Sequence, residues 1–433
     1  MKATTEFTQR YNKALSDILE RTEPSWLQER RSGAYALFQR LGLPTTRDED
    51  WKYTSLAGID RAPLETWVDE APVPAGLPAA SFDWAYAHRL VFVDGRFNPG
   101  LSILREPEPG VTLMPLSQAV TLNRAAAQKY LGQIDSGTAA LDAFNTALWR
   151  DGLYLELERG VRLSRPLLVH CLSTGGRLVP VHHLIVLGEG AQALLIEHYQ
   201  SVQAGVHFTN AVTECLLGTG AELTHIKLQD EHDQAFHTAR IVARQEAGSR
   251  WLSLSLAAGG ALTRNEIISH LDGEGASCTL NGLAVGAGRR HVDHHTYIDH
   301  SQPSCVSRQH YRGLLTGRSR VVFNGRVKVE KGAIKTDAQQ INRNLLLSKD
   351  AEADSKPQLE IYADEVKCSH GAASGGLDEA QLFYLRSRGL DAAQARAMLL
   401  QAFATAVLDV IEDTDLKLAL TDWLAAKLPS GDA

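Results

Sequence analysis

From about residue 152 to 366, apolar and polar residues alternate in short runs broken by glycine-containing turns. Alternation with period two marks strands, whose successive side chains point to opposite faces. It is cleanest in Leu252-Ser253-Leu254-Ser255-Leu256, where leucines take one face and serines the other, and this predicts one buried face and one wet face. Four turns look alike: Gly188-Glu189-Gly190-Ala191, Gly218-Thr219-Gly220-Ala221, Glu246-Ala247-Gly248-Ser249 and Gly273-Glu274-Gly275-Ala276. Their second glycines, at 190, 220, 248 and 275, lie 30, 28 and 27 residues apart, a near-fixed period that signals a repeat. Strands that recur with tight turns and almost no helix between them predict a β-solenoid, in which each coil covers the open edge of its neighbour. A sandwich fits less well, because its loop spacing need not be periodic. With no hexapeptide repeat visible, a right-handed or irregular β-helix is expected.

The flanks carry a different period. Tyr11, Leu15, Ile18 and Leu19, then Trp26, Leu27, Tyr35, Leu37 and Leu41, recur at three- and four-residue spacing and predict helix within the first 45 residues. Proline-rich runs such as Ala71-Pro72-Val73-Pro74 and Glu106-Pro107-Glu108-Pro109 predict loops and small strands over residues 60–115, with helix returning over 115–150. Beyond Leu377 the spacing is helical again, with Gly389 read as a C-cap, Asp391 as the next N-cap and a break at residues 412–414. The apolar stripe of this tail needs a surface, either the end of the solenoid or another protein. The expected organisation is a helical or mixed region over 1–150, a β-helix core over 151–372 and a helical domain over 373–433.

A chain of 433 residues can bury a full core without staples. Its five cysteines (Cys171, Cys215, Cys278, Cys305, Cys368) are dispersed and free of close pairs, which argues against a disulfide framework or a self-contained zinc finger. The first eight residues lack a signal-peptide core and no apolar run is long enough to span a membrane, so a soluble, cytoplasmic protein is expected. The formal net charge of -7 gives no general reason to bind nucleic acid or an anionic membrane.

No phosphate-binding P-loop, dinucleotide fingerprint, nucleophile elbow or zinc-protease signature occurs, so ATP hydrolysis by this chain is not expected. Two histidine settings remain. His291, His294, His295, His300 and His310, with Asp293, Asp299 and Cys305, invite a metal reading, since His291, Asp293 and His295 share one strand face. The favoured reading is a solvated or hydrogen-bonded ladder on the polar outer face of a solenoid. Cys368 and His370 lie two apart, which on a strand aims thiol and imidazole at one face about 7 Å from each other. The bland reading is a buried cysteine beside a locally bonded histidine. Against it, the pair falls where strands give way to helices, and Gly371, Gly375 and Gly376 permit close approach by another chain. A metal or iron-sulfur site usually wants about four donors, so the pair reads as half of one.

Residues 47–54, 324–325, 333–337, 344–347, 357–361, 367–372 and 382–389 together resemble the SufB/SufD family of the Suf iron-sulfur cluster assembly machinery, and its SufD side more than its SufB side. The resemblance implies a right-handed parallel β-helix flanked by N-terminal helices and a C-terminal helical domain. It also implies a non-catalytic scaffold subunit paired with SufB through the β-helix and with the ATPase SufC, which would hydrolyse ATP, through the C-terminal helices. His370, and with it Cys368, would contribute to a transient iron or iron-sulfur site shared with SufB. Homodimerisation of the isolated chain is left open. Two competing readings are a β-helix enzyme acting on carbohydrate through the Asp and His residues of 291–300, and a stand-alone metal binder using the 291–310 histidines.

Overall fold

The computed structural model describes residues 11–20, 22–65, 87–106, 108–122, 124–134 and 139–429. The opening eight residues, the 71–74 proline run, Pro107 and the side chain of Leu15 lie outside these residues. Among the described residues, two sheets face each other, one of ten strands and one of nine, and from Leu153–Leu157 onward successive strands of the chain alternate between them. Each strand from Leu167–Ser173 onward pairs in parallel with the strand one coil earlier in the same sheet. The result is a β-solenoid of about eight turns, as the periodic turns predict.

The turn ladder explains the period. Gly190, Gly220, Gly248 and Gly275 all take positive φ, from 64° to 70°. Their N–H groups donate to the turn of the following coil: Gly190 to Thr219 O (2.8 Å), Gly220 to Ala247 O (2.8 Å), Gly248 to Glu274 O (2.9 Å) and Gly275 to Pro303 O (3.1 Å). The ladder continues past the visible repeat, with Ser304 donating to Ile334 O and Lys335 to Glu365 O. Ser304, Lys335 and Glu365 hold the same left-handed conformation, at φ 61°, 59° and 55°. The sequence repeat fades there because the residue type changes while the backbone does not.

The two ends differ. At the start, His88–Val93 carries the antiparallel Arg96–Phe97 on its outer edge, and Leu153–Leu157 carries the antiparallel Val111–Pro115. At the finish, Glu352–Ile361 and Lys367–Gly375 are the last strands of their sheets and each pairs on one side.

Both outer faces of the early and middle coils are covered. Helices Asn12–Leu19, Ser25–Leu41 and Ala140–Leu148 pack Tyr11, Phe38 and Phe144 over Leu178, Phe208 and Leu262 of the nine-strand sheet. Helix Ala392–Thr405, the short turn Ala406–Val410 and helix Thr414–Ala425 lay Val407, Leu420, Trp423 and Leu424 on Ile196, Ile226, Leu254 and Leu283 of the ten-strand sheet. The tail's stripe therefore docks on the flank of the solenoid, not on its end. Asp391 caps its helix in a reciprocal box with Gln394, as the sequence predicts, while Gly389, at φ 96°, lies one residue past the C-cap Arg388.

One expectation is overturned. Neither face of Leu252 to Leu256 is wet: Leu254 and Leu256 lie under the C-terminal helices, and Ser253 and Ser255, each 1 % exposed, point into the lumen between the sheets. Because helices cover the outside with apolar surface, the polar residues of such strands turn inward.

Gly220→Ala should cost about 1–2 kcal/mol, since a Cβ there meets no atom within 4 Å and only the left-handed backbone resists it. Ser304→Gly should stabilise by up to about 1 kcal/mol. Urea denaturation of both variants checks the pair; a neutral Gly220→Ala would contradict the ladder.

Candidate functional site

The terminal coil presents the site. Lys367–Gly375 pairs in register with Asp337–Leu346, setting Cys368 beside Ala338 and His370 beside Gln340. Ala338 belongs to the lumen core, so Cys368 and His370 both face the lumen, at its open mouth. The shared face inferred from the two-residue spacing is present. Cys368 is half-buried against the core and His370 is exposed. The other four cysteines are buried, which leaves Cys368 as the accessible thiol. Burial pushes the Cys368 thiol up, against a backbone hydrogen bond from Ala338 and with the Asp337 charge adding to the rise, which disfavours its thiolate form. A Cβ built on Gly371 or Gly375 meets nothing within 4 Å, so the strand's surface is open to a close neighbour. Among the described residues no group of three or more His, Cys, Asp and Glu could hold a metal ion, and this pair supplies two donors.

The 291–310 histidines are not one cluster. His291, Asp293 and His295 lie on the outer face of strand His291–His300, whereas His294 and His300 point into the lumen. On the outer face Arg264 occupies the position a cation would take: its Nη1 is 2.6 Å from Asp293 Oδ2 and 2.9 Å from His295 Nε2. Burial alone would raise the Asp293 carboxyl, but His295 and Arg264 hold it far below the usual range. Thr54 donates to Asp293 and sits 2.9 Å from His291 Nε2, and Trp51 stacks under Arg264 with 3.9 Å from guanidinium to ring centre. The hydrogen-bonded reading holds, but the face is buried, not solvated. The 47–54 motif is its lid, fastened further by Lys356 Nζ donating to Glu49 Oε1 (2.5 Å). Asp293, 0 % exposed and locked to Arg264, cannot serve as a carbohydrate enzyme's acid or base.

Alternation missed a buried ionic network in the lumen. Tyr199 and Thr213 donate to Glu197 at 2.8 Å each, and His225 Nε2 is 3.0 Å from the same carboxylate. Lys227 donates to Asn265 Oδ1 (2.9 Å) and lies 2.8 Å from His237 Nε2, whose Nδ1 is 2.7 Å from Glu231. Burial pushes Lys227 down to about 8, against the pull of Glu197 and Glu231. The signal was present in Ile226-Lys227-Leu228, where the apolar pair faces the helices and the lysine faces inward.

A parallel solenoid with antiparallel strands at one end and helices on both flanks is a scaffold-type architecture. Comparison with known proteins gives the family. Residues 170–403 match "SUF system FeS cluster assembly, SufBD core domain", and residues 1–169 match "SufBD protein N-terminal region". The chain is 36 % identical over 399 residues to the iron-sulfur cluster assembly protein SufD of Escherichia coli, covering 90 % of this chain and 91 % of that one. It is 33 % identical over 404 residues to an iron-sulfur cluster assembly SufBD family protein of Synechocystis, covering 90 % and 88 %, and 25 % identical over 433 residues to SufD of Bacillus subtilis, covering 97 % and 98 %. The chain belongs to the SufBD family of Suf-system iron-sulfur cluster assembly proteins, and its likeness is to the SufD type. Among the described residues no helix is long and apolar enough to cross a membrane.

Burial pushes His170, His183, His294 and His300 down to about 4. The unfolded chain, with histidines near 6.5, takes protons the folded chain refuses, so stability is full above about pH 6.5 and is lost as pH falls toward 4. Each histidine contributes up to about 1.4 kcal/mol per pH unit in that window. Glu197 and Glu231, which burial would raise but whose histidine neighbours hold low, add their loss only below the ordinary carboxylate range. Thermal midpoints at pH 7.5, 5.5 and 4.5 should fall progressively; a flat profile would show that these histidines are solvated.

Proposed function

We propose that this chain is a non-catalytic, cytoplasmic scaffold subunit of the Suf machinery. It pairs through its open terminal coil with a SufB-type chain and contributes His370, with Cys368 second, to a transient iron or iron-sulfur site at that junction. The iron or cluster is cargo, completed by donors from the partner and not retained by this chain alone. The observation that carries the reading is the exposed His370 on a strand whose outer edge has no neighbour among the described residues. A long unpaired edge is a template for another chain. Pro357 and the charged Glu352, Lys356 and Glu360 on the adjoining strand restrain indiscriminate pairing without removing it.

ATP hydrolysis belongs, in this reading, to a SufC-type ATPase seated on the C-terminal helices. Support comes from helix Glu379–Ser387, which buries none of its residues and exposes Phe383 (75 %) and Tyr384 (57 %), with Met398 (55 %) exposed on the next helix. Exposed aromatics grouped on one tail mark a surface that another protein covers. This chain has no P-loop of its own.

The test is His370→Ala in the complex co-purified with SufB-type and SufC-type partners. Assembly should persist while iron and sulfide retained after anaerobic reconstitution fall on the order of tenfold or more, with a smaller loss for Cys368→Ala. Normal cluster content in the His370→Ala complex would refute the ligand role.

A further inference from the structure

One lumen residue beneath the site has no role in the network around it. Gln340 is 1 % exposed and stands next to His370 in register, with both side chains on the lumen face. Its neighbours bond to one another: Asn344 Nδ2 donates to Asn342 Oδ1 (3.0 Å) and to Ser374 Oγ (3.1 Å), and Ser355 Oγ donates to Asn342 Oδ1 (2.5 Å). Gln340 takes no part. Neither Nε2 nor Oε1 has a hydrogen-bond partner among the described residues, so turning the carboxamide over leaves both ends unpartnered all the same.

The amide is also held in place. A Cβ built on Gly325, on the opposite sheet, would lie 1.9 Å from Gln340 Nε2, so the absent side chain at Gly325 is what makes room for it. This assigns a task to Gly325, which the ligand reading leaves unused. A buried, sterically fixed amide that bonds to nothing is costly, and such a group calls for a partner that arrives later.

We propose that Gln340 is a positioning residue for His370. When the junction forms and the imidazole turns inward, the Gln340 carboxamide oxygen accepts the N–H of one ring nitrogen. That bond fixes the tautomer and orientation, and leaves the other nitrogen free to bind the iron of the cargo. Ligating histidines regularly donate their second N–H to a carboxylate or carbonyl oxygen. This inference rests on the reading of His370 as a ligand.

The test uses the co-purified complex, titrated anaerobically with Fe(II) alone. Gln340→Leu should weaken Fe(II) binding by about 10–100-fold, while the thermal midpoint of the isolated chain holds or rises because two orphaned polar atoms are gone. Gln340→Glu keeps the acceptor and should bring affinity back to within a few-fold of the natural chain. Fe(II) binding unchanged in Gln340→Leu, with His370→Ala defective, would overturn this inference and spare the ligand role. Affinity and thermal midpoint falling together, with no recovery in Gln340→Glu, would also overturn it, since that is the pattern of a structural residue. Unchanged binding in His370→Ala would overturn the reading beneath it.

Discussion

Each coil of this chain is held by the backbone hydrogen bonds of the coil before it, and that dependence fixes where the molecule is finished and where it is not. Parallel strands in register leave no free backbone group inside the stack, so the cost of an unpaired edge is deferred to the two ends. The first coil carries antiparallel strands Arg96–Phe97 and Val111–Pro115 on its outer edges. Among the described residues the last is not closed, and Glu352–Ile361 and Lys367–Gly375 each pair on one side only. His370 and Cys368 lie on that unfinished coil, so the part of the fold that needs a neighbour also carries the candidate donors.

The same stacking mixes polar with apolar side chains in the interior. With N-terminal helices on one sheet and C-terminal helices on the other, apolar side chains are needed outside as well as inside, and serine, histidine, glutamate and lysine share the lumen with a large apolar core. A buried ionic network such as Glu197–His225 and Lys227–His237–Glu231 is a poor source of net stability, because desolvation offsets most of the attraction. It does penalise a strand slipped by one residue, which would turn these groups against the apolar helices. The network thus acts on register, and register is what brings His370 next to Gln340.

Much of this was legible in the chain. The 27 to 30 residue spacing of Gly190, Gly220, Gly248 and Gly275 identified the solenoid, because only a turn that needs positive φ constrains residue type so tightly. The spacing of Cys368 and His370 put them on one face. Alternation could not say which face was buried: Leu252 to Leu256 reads as half-wet until the helices that cover the leucines are known. Nor could spacing separate His291, Asp293 and His295 from a metal site, since the answer lies in Arg264 and in Thr54, some 240 positions earlier in the chain. Gln340 was invisible for the same reason, because an isolated glutamine has meaning only through what it fails to touch.

A partner can add to the terminal coil only if that coil is an unfinished edge. Amide hydrogen exchange, followed by mass spectrometry in the free chain and in its complex with a SufB-type partner, reads this directly. Residues 352–361 and 367–375 should exchange rapidly in the free chain and become protected in the complex, while the interior strands stay protected in both. Equal exchange of these two segments with and without the partner would contradict it.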